Sequence, residues 1–148
     1  MKRLALVLGL VALSAHPVVA QDQTRIVHQP STRSPLSAAV QVGDVYWLSG
    51  KLGATAETRA MTEGRVAAET HNIMRSFGAL LEELGLDFQD VVRGTVYLAD
   101  IDTFAEMNQV YAEYFESGAA PSRVTVAVAG LVGGGAIEIA FEAVRTGG

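Results

Sequence analysis

The sequence contains no cysteine. Disulfide bonds, zinc–thiolate sites and cysteine nucleophiles are therefore excluded. A lipid anchor attached to a cysteine after a cleaved leader is excluded for the same reason. A chain without disulfides must be stabilised by its own hydrophobic core or by association with other chains.

Histidine is scarce, and the common nucleotide-binding and hydrolase motifs are missing. Only His28 and His71 follow residue 20, and neither belongs to an H-x-x-x-H pair. No G-x-x-x-x-G-K-[ST] or G-x-G-x-x-G motif is present, and the triplet Gly133-Gly134-Gly135 lacks the lysine of a phosphate-binding loop. These absences argue against a metal site and give no support to a Ser-His-Asp triad.

Basic residues are fewer than acidic residues. The chain has 11 Lys and Arg against 16 Asp and Glu, for a formal net charge of −5. It has no basic footprint of the kind that binds nucleic acid, so nucleic acid is not an expected partner. The excess of negative charge argues weakly against binding to anionic membranes as well.

The first twenty residues have the layout of a secretory signal peptide. Basic residues at positions 2 and 3 precede an apolar run, Leu4–Leu13, and small residues at positions 18 and 20 precede a cleavage site before Gln21. The run is too short to span a bilayer, although an uncleaved N-terminal anchor is the alternative. Cleavage would leave residues 21–148, which is 148 − 20 = 128 residues with a charge of 9 − 16 = −7. We expect a single periplasmic or secreted domain with no membrane attachment after cleavage.

Hydrophobic periodicity predicts an α+β domain with the element order β-β-β-α-β-α-β-β. A Gly43-Asp44 hairpin joins the second and third strands, a loop covers Lys51–Met61, and a glycine-rich connection, Gly130–Gly135, joins the last two strands as an antiparallel pair. The predicted strands are Arg25–Val27, Ala38–Val42, Val45–Ser49, Val91–Leu98, Ser122–Val128 and Ala136–Val144, and the predicted helices are Thr62–Leu84 and Thr103–Phe115.

Both faces of the predicted sheet carry apolar side chains. The strand Val45–Ser49 begins with four consecutive apolar residues, which indicates burial on both sides. The two helices can cover one face of a mixed sheet. Because an apolar second face must be covered too, we expect the chain to form oligomers.

Two charged residues in the last two strands are candidates for chemistry. Arg123 begins an apolar strand, where a guanidinium can hold a carboxylate through two parallel hydrogen bonds. Glu138 lies between two isoleucines, and strand alternation places it on one face with Ala140 and Glu142. In a partly buried cavity such a carboxylate suits proton transfer with water. A surface arginine at a strand end and a solvated strand face explain the same pattern equally well.

An ordered set of short motifs makes the sequence similar to the Rid family, the reactive intermediate deaminases of YjgF type. The similarity covers about residues 26–144. It rests on Ser49-Gly50, Leu84-Gly85-Leu86, Asp90-Val91-Val92, the stretch Thr95–Asp100, Phe104, Asn108, Pro121-Ser122-Arg123 and Ile137-Glu138-Ile139.

The resemblance implies a fold similar to chorismate mutase, a homotrimer whose sheets build a barrel, and sites in clefts between subunits. Deaminase members hydrolyse enamines and imines such as 2-aminoacrylate to 2-keto acids and ammonia, without a metal or organic cofactor. By this resemblance, Arg123 binds the carboxylate of a small imine or enamine and Glu138 helps to activate water. Ser49, Gly50, Asn108 and Thr125 would belong to the pocket.

Three departures from the family pattern fall around this pocket. Leu36 stands after Pro35 where deaminase members usually carry tyrosine, and Thr125 stands where cysteine is common. The connection Gly130–Gly135 is poorer in proline and charge than usual. Alternative functions are a non-catalytic trimer that binds a small ligand or a protein, and an endoribonuclease, which the negative charge disfavours.

Overall fold

The computed structural model describes residues 24–146, so the predicted signal peptide lies outside the described residues. These residues form a six-stranded mixed sheet with helices on one face. The strands are β1 (Arg25–Pro30), β2 (Ser37–Val42), β3 (Val45–Leu52), β4 (Val91–Leu98), β5 (Ser122–Ala127) and β6 (Ile137–Val144). The α-helices are α1 (Ala56–Ala60), α2 (Arg65–Glu83) and α3 (Phe104–Ala112), and 3₁₀ turns lie at Phe88–Asp90, Ile101–Thr103 and Val132–Gly134.

The order of strands across the sheet is β1-β2-β3-β6-β4-β5. The first three strands form an antiparallel meander, and the predicted tight turn at Gly43-Asp44 is present, with Gly43 at φ +58°. Strands β4 and β5 are parallel and are joined through α3, as a parallel pair requires a crossover. The prediction that the last two strands pair directly is wrong, because β4 lies between β5 and β6 and bonds to both.

The long amphipathic helix is confirmed, but its predicted start is wrong. Helix α2 begins at Arg65 rather than Thr62, because Gly64 has a left-handed backbone (φ +65°) that cannot continue a helix. Its end is as predicted. Gly85 takes a φ of +68°, and the amide of Leu86 donates to the carbonyl of Leu81 at 2.8 Å, which is a Schellman ending.

Two other boundaries differ from the prediction. The stretch predicted as a loop from Lys51 to Met61 continues β3 to Leu52 and then forms α1. A capping box between Thr55 and Thr58 starts this helix, and five residues are too few to show an apolar period. Helix α3 ends at Ala112, before the predicted Phe115, and three backbone hydrogen bonds of 3₁₀ type, donated by residues 113–115, follow it.

The hydrophobic core lies between the sheet and helices α2 and α3. Strand β6 alternates as its sequence predicts: Ile137, Ile139 and Phe141 are buried under the helices, whereas Glu138 and Glu142 face the other way. Phe141 stacks against Phe77 of α2 with ring centroids 4.6 Å apart. No helix among residues 24–146 is long and apolar enough to cross a membrane.

The second face of the sheet is open in a single chain and partly apolar. Trp47 is 44% exposed there, and Val124 and Val126 are 46% and 41% exposed. The polar part of this face includes Arg93, whose Nη1 lies 3.5 Å from Oε1 of Glu142. The predicted apolar second face is therefore present, and residues 24–146 of a single chain leave it exposed.

A buried glutamate ties the end of the glycine-rich connection to α2. Glu69 is fully buried, and its Oε2 accepts a hydrogen bond from the amide of Ala136 at 2.7 Å. Its Oε1 accepts from Nε of Arg65 at 3.0 Å, and Arg65 also donates to the carbonyl of Gly134. The connection is therefore bound to the helix just before β6 begins.

We expect Glu69→Ala to lower the free energy of unfolding by about 2–3 kcal/mol, because it leaves the partly buried amide of Ala136 without its charged acceptor. Glu69→Gln keeps an acceptor and should cost less. Urea denaturation followed by circular dichroism measures both. Glu82→Ala on the exposed side of the same helix is the matched control, expected within about 0.5 kcal/mol of the parent. Equal losses in the two alanine variants would contradict the role given to Glu69.

Candidate active site

Arg123 at the start of β5 contacts three side chains of helix α3. Its Nη2 donates a hydrogen bond to Oδ1 of Asn108 at 2.6 Å. The carbon of its guanidinium lies 4.6 Å from the ring centroid of Tyr111 and 5.7 Å from that of Phe104. Residues 104, 108 and 111 share one helix face because they are spaced by four and three positions. The helix therefore presents an acceptor and two aromatic rings to a single arginine.

A cavity of about 360 Å³ opens beside this arginine. Its lining includes Asn108, Tyr111, Phe115, Pro121 and Arg123. The volume falls in the range of small-molecule sites, and most of the wall is apolar with a cation at one side. The cavity can therefore take a small anionic ligand. We call Arg123, Asn108 and Tyr111 the arginine half-site.

Two buried hydroxyl groups near Arg123 have no hydrogen-bond partner within residues 24–146. They are the hydroxyl of Tyr111 and Oγ1 of Thr125. Thr125 lies on the same face of β5 as Arg123, as its position two residues further along requires. Burial raises the pKa of Tyr111 to about 12, against the opposing effect of the Arg123 charge. Tyr111 is therefore neutral at any physiological pH.

Glu138 lies on β6, with its carboxylate against the backbone of Gly50. A Cβ placed on Gly50 would lie 2.1 Å from Oε1 of Glu138, so any side chain at position 50 would displace the carboxylate. The register between β3 and β6 shifts between Leu48 and Lys51 at this point. The predicted strand end at Ser49 is wrong, because the strand continues to Leu52, and Gly50 is the point at which the carboxylate of Glu138 meets the backbone of β3.

Ser49 and Leu36 border a second, smaller cavity of about 220 Å³. Ser49 is anchored by its hydroxyl, which donates to the carbonyl of Ser37 at 2.6 Å. Leu36 is 58% exposed and lines the cavity with Gly50. We call Glu138, Gly50 and Ser49 the glutamate half-site.

Lys51 also borders this cavity. Its ammonium donates to the hydroxyl of Ser76 at 2.9 Å and lies over the ring of Phe77. Burial lowers the pKa of Lys51, and the negative charge of Glu83 acts in the opposite direction.

The two half-sites lie on opposite faces of the sheet. Arg123 pairs with Gly94, which also pairs with Phe141 on the helix-covered face. Glu138 pairs with Tyr97, which is three residues from Gly94 and so points to the open face. The structure thus brings Arg123 together with Asn108, and Glu138 together with Gly50. It does not bring Arg123 and Glu138 together within one chain.

From the sequence, Tyr111 and Glu69 are recognisable only as residues of two predicted helices, and nothing marks them as important for the site or for the connection before β6. Tyr111 fits the apolar stripe of its helix, and Glu69 is an unremarkable charged residue of another. The available signal for Tyr111 is its spacing of three from Asn108, which places an aromatic ring and an amide side by side. For Glu69 we find no such signal. Within the described part of the chain, no three His, Asp or Glu side chains form a candidate metal site.

Comparison with known proteins places the chain in a family. The family model described as Endoribonuclease L-PSP matches residues 26–145. A Myxococcus xanthus protein named DfrA is 42% identical over 112 residues, which cover 74% of this chain and 85% of the relative. A Bos taurus protein named 2-iminobutanoate/2-iminopropanoate deaminase is 39% identical over 116 residues, covering 78% of this chain and 84% of the relative.

Solved structures give the same result. The crystal structure of RidA from an Antarctic bacterium of the genus Psychrobacter matches with a TM-score of 0.66 at 31% identity, and the match covers 84% of this chain and 99% of that structure's chain. A match of this extent is expected for a shared fold, and the family similarity seen in the sequence motifs is confirmed. The chain belongs to the Rid (YjgF-type) family.

Proposed function

We propose that this protein is a deaminase that hydrolyses small carboxylate-bearing imines and enamines to 2-keto acids and ammonia. The observation that carries the proposal is the position of Arg123, which is fixed by Asn108 and Tyr111 beside a cavity of about 360 Å³. The names of the deaminase relatives support the same activity.

Arg123 would hold the carboxylate of the substrate. One of its terminal nitrogens donates to Asn108, and its guanidinium carbon lies over the ring of Tyr111. The other donors remain in the plane of the guanidinium, where a carboxylate accepts two hydrogen bonds at once. This geometry fixes the direction of the substrate as well as its charge, because the imine carbon must lie next to the bound carboxylate.

Glu138 would position the water and accept its proton. Water adds to the carbon of the protonated imine to give a carbinolamine, and the C–N bond then breaks to release ammonia and leave the C=O group of the keto acid. For an enamine, protonation of the substrate carbon first gives the protonated imine that water attacks. Because Gly50 has no side chain, the carboxylate of Glu138 can lie against its backbone, and from there it would hold a water molecule at hydrogen-bond distance.

A homotrimer would join the half-sites. Since Arg123 and Glu138 lie on opposite faces of the sheet, one substrate can meet both only if they come from different chains. The exposed apolar side chains around Trp47 supply a surface for such an assembly. We therefore propose inter-subunit clefts, each with the arginine half-site of one chain and the glutamate half-site of its neighbour.

The test is an assay in which an amino-acid oxidase generates imines in the presence of the purified protein. We expect keto acid and ammonia to form faster than by spontaneous hydrolysis, with a rate proportional to protein concentration. Heat-denatured protein is the control. No acceleration with imines from any of a range of small amino acids would contradict the proposal.

The same assay separates the alternatives. Binding of a 2-keto acid without acceleration would favour a non-catalytic ligand-binding trimer. Endoribonuclease activity would require RNA cleavage that co-elutes with the protein on gel filtration and is lost in Arg123→Ala. The formal charge of −5 makes such binding unfavourable, because RNA binding relies on contacts between cations and phosphates.

The N-terminal pattern supports a site of action outside the cytoplasm. We propose that the protein is exported and meets imines formed by the oxidation of amino acids in the periplasm or the medium. Detection of a chain that begins at Gln21 in a periplasmic fraction would support this, and a chain that retains Met1 in the cytoplasmic fraction would overturn it.

A further inference from the structure

We propose that Tyr111 is a positioning residue that orients Arg123 through its aromatic ring and not through its hydroxyl group. The inference rests on the proposed role of Arg123 as the carboxylate anchor and adds the residue that sets its direction. Nothing in the sequence motifs or in the names of the relatives assigns this role to Tyr111.

The contacts of Arg123 restrict it in two different ways. Asn108 accepts a hydrogen bond from Nη2 and so fixes one edge of the guanidinium. A single bond of this kind still allows the group to rotate about it. The ring of Tyr111, 4.6 Å from the guanidinium carbon, removes that freedom because a cation stacks favourably on the face of an aromatic ring. The hydrogen bond to Asn108 and the contact with the Tyr111 ring together leave one orientation for the guanidinium N–H groups that remain free to bind a ligand.

The Tyr111 ring itself is firmly held. Tyr111 is 4% exposed, and its ring centroid lies 4.9 Å from that of Phe115 and 6.2 Å from that of Phe141. The second ring near the guanidinium, Phe104, lies further away at 5.7 Å and is 39% exposed. Tyr111 is therefore the better fixed of the two aromatic supports.

Among residues 24–146, the hydroxyl of Tyr111 is buried without a hydrogen-bond partner. It lies so close to Gly94 that a Cβ there would be 2.7 Å from it. Burial also raises the pKa of the hydroxyl to about 12, so it carries no charge that could pair with Arg123. The ring must then account for the effect of Tyr111 on Arg123.

Two substitutions of Tyr111 distinguish the effect of its aromatic ring from the effect of its hydroxyl group. In the imine assay, Tyr111→Leu should raise KM about tenfold and change kcat by no more than about twofold, because the guanidinium still carries its charge but loses its support. Tyr111→Phe should restore KM to within about twofold of the parent, because the ring remains. Phe77→Leu, a core substitution at a ring that contacts Phe141, should lower the thermal midpoint without raising KM.

A second measurement needs no activity at all. The Nε–H signal of Arg123 in a ¹H–¹⁵N spectrum of the ligand-free protein, assigned by its loss in Arg123→Lys, should move in Tyr111→Leu and stay close to its position in Tyr111→Phe. If the signal behaves in this way but the parent protein hydrolyses no imine, the proposed function fails and the positioning role stands.

Three results would overturn the inference. The first is a Tyr111→Phe variant as impaired in KM as Tyr111→Leu, which would mean that the hydroxyl acts. The second is a rise in KM in Phe77→Leu equal to that in Tyr111→Leu, which would mean that general loosening of the core explains the effect. The third is an Arg123 Nε–H signal that does not move in Tyr111→Leu.

Discussion

Chains that carry Arg123→Ala and chains that carry Glu138→Gln are expected to be inactive alone and active when assembled together. Each variant keeps one half-site and lacks the other. Because the half-sites lie on opposite faces of the sheet, a mixed assembly can place the intact arginine of one chain next to the intact glutamate of its neighbour. Random assembly of an equal mixture should restore about one site in four, since each interface joins two different surfaces.

This experiment needs a demonstration that the chains have mixed. The two variants can be denatured together, refolded and examined by native mass spectrometry, with an affinity tag on one of them to mark mixed species. A mixture of wild-type chains with chains that carry both substitutions serves as a calibration, and should also retain about one intact site in four. Verified mixed assemblies without recovered activity would show that both residues act from the same chain.

The second large effect is expected from Arg123 alone. Arg123→Ala should lower kcat/KM for carboxylate-bearing imines by about 10²–10³, which corresponds to the loss of a partly buried, charge-assisted anchor. Arg123→Lys should recover only part of this loss, because an ammonium group keeps the charge but cannot form the two parallel hydrogen bonds. Added guanidinium ion should partly restore the alanine variant, since the space beside Asn108 and Tyr111 remains.

The control for Arg123 is Arg59→Ala, which removes an exposed arginine from α1. It should leave kcat/KM unchanged within about twofold, as expected for a surface substitution. Gel filtration must show that the Arg123 variants keep the assembly of the parent. A fall in activity of the same size in Arg59→Ala would mean that overall charge, and not the anchor, controls the rate.

The local parts of the fold could be predicted because short-range chemistry determines them. The left-handed Gly85 ends α2, the turn at Gly43 joins two strands, and the alternation around Glu138 sets which side of β6 is buried. Helix α1 was missed because the capping box at Thr55 acts over only three residues, and no apolar repeat accompanies it. Thr62 resembles an N-cap, but the backbone of Gly64 determines where the long helix begins.

The long-range parts could not be predicted from pattern. Nothing in the composition of β6 indicates that it inserts between β3 and β4, because each strand is apolar enough to pair with several others. The candidate site likewise combines residues that the sequence identifies with an arrangement that only long-range strand pairing determines. The sequence pattern and the family resemblance identify Arg123 and Glu138, but their placement on opposite faces depends on register across three strands. The contact between Glu138 and Gly50 depends on an irregularity in β3 that leaves no mark in the sequence.

The division of the site between two faces has a consequence for how activity responds to protein concentration. If neither face is sufficient, an isolated chain has no complete site, and the rate per chain must fall when dilution separates the subunits. Substrate bridging the two half-sites would bind only the assembled form and would therefore hold the subunits together. Occupancy of the cleft and stability of the assembly would then rise together, so that the supply of imine itself maintains the protein that removes it.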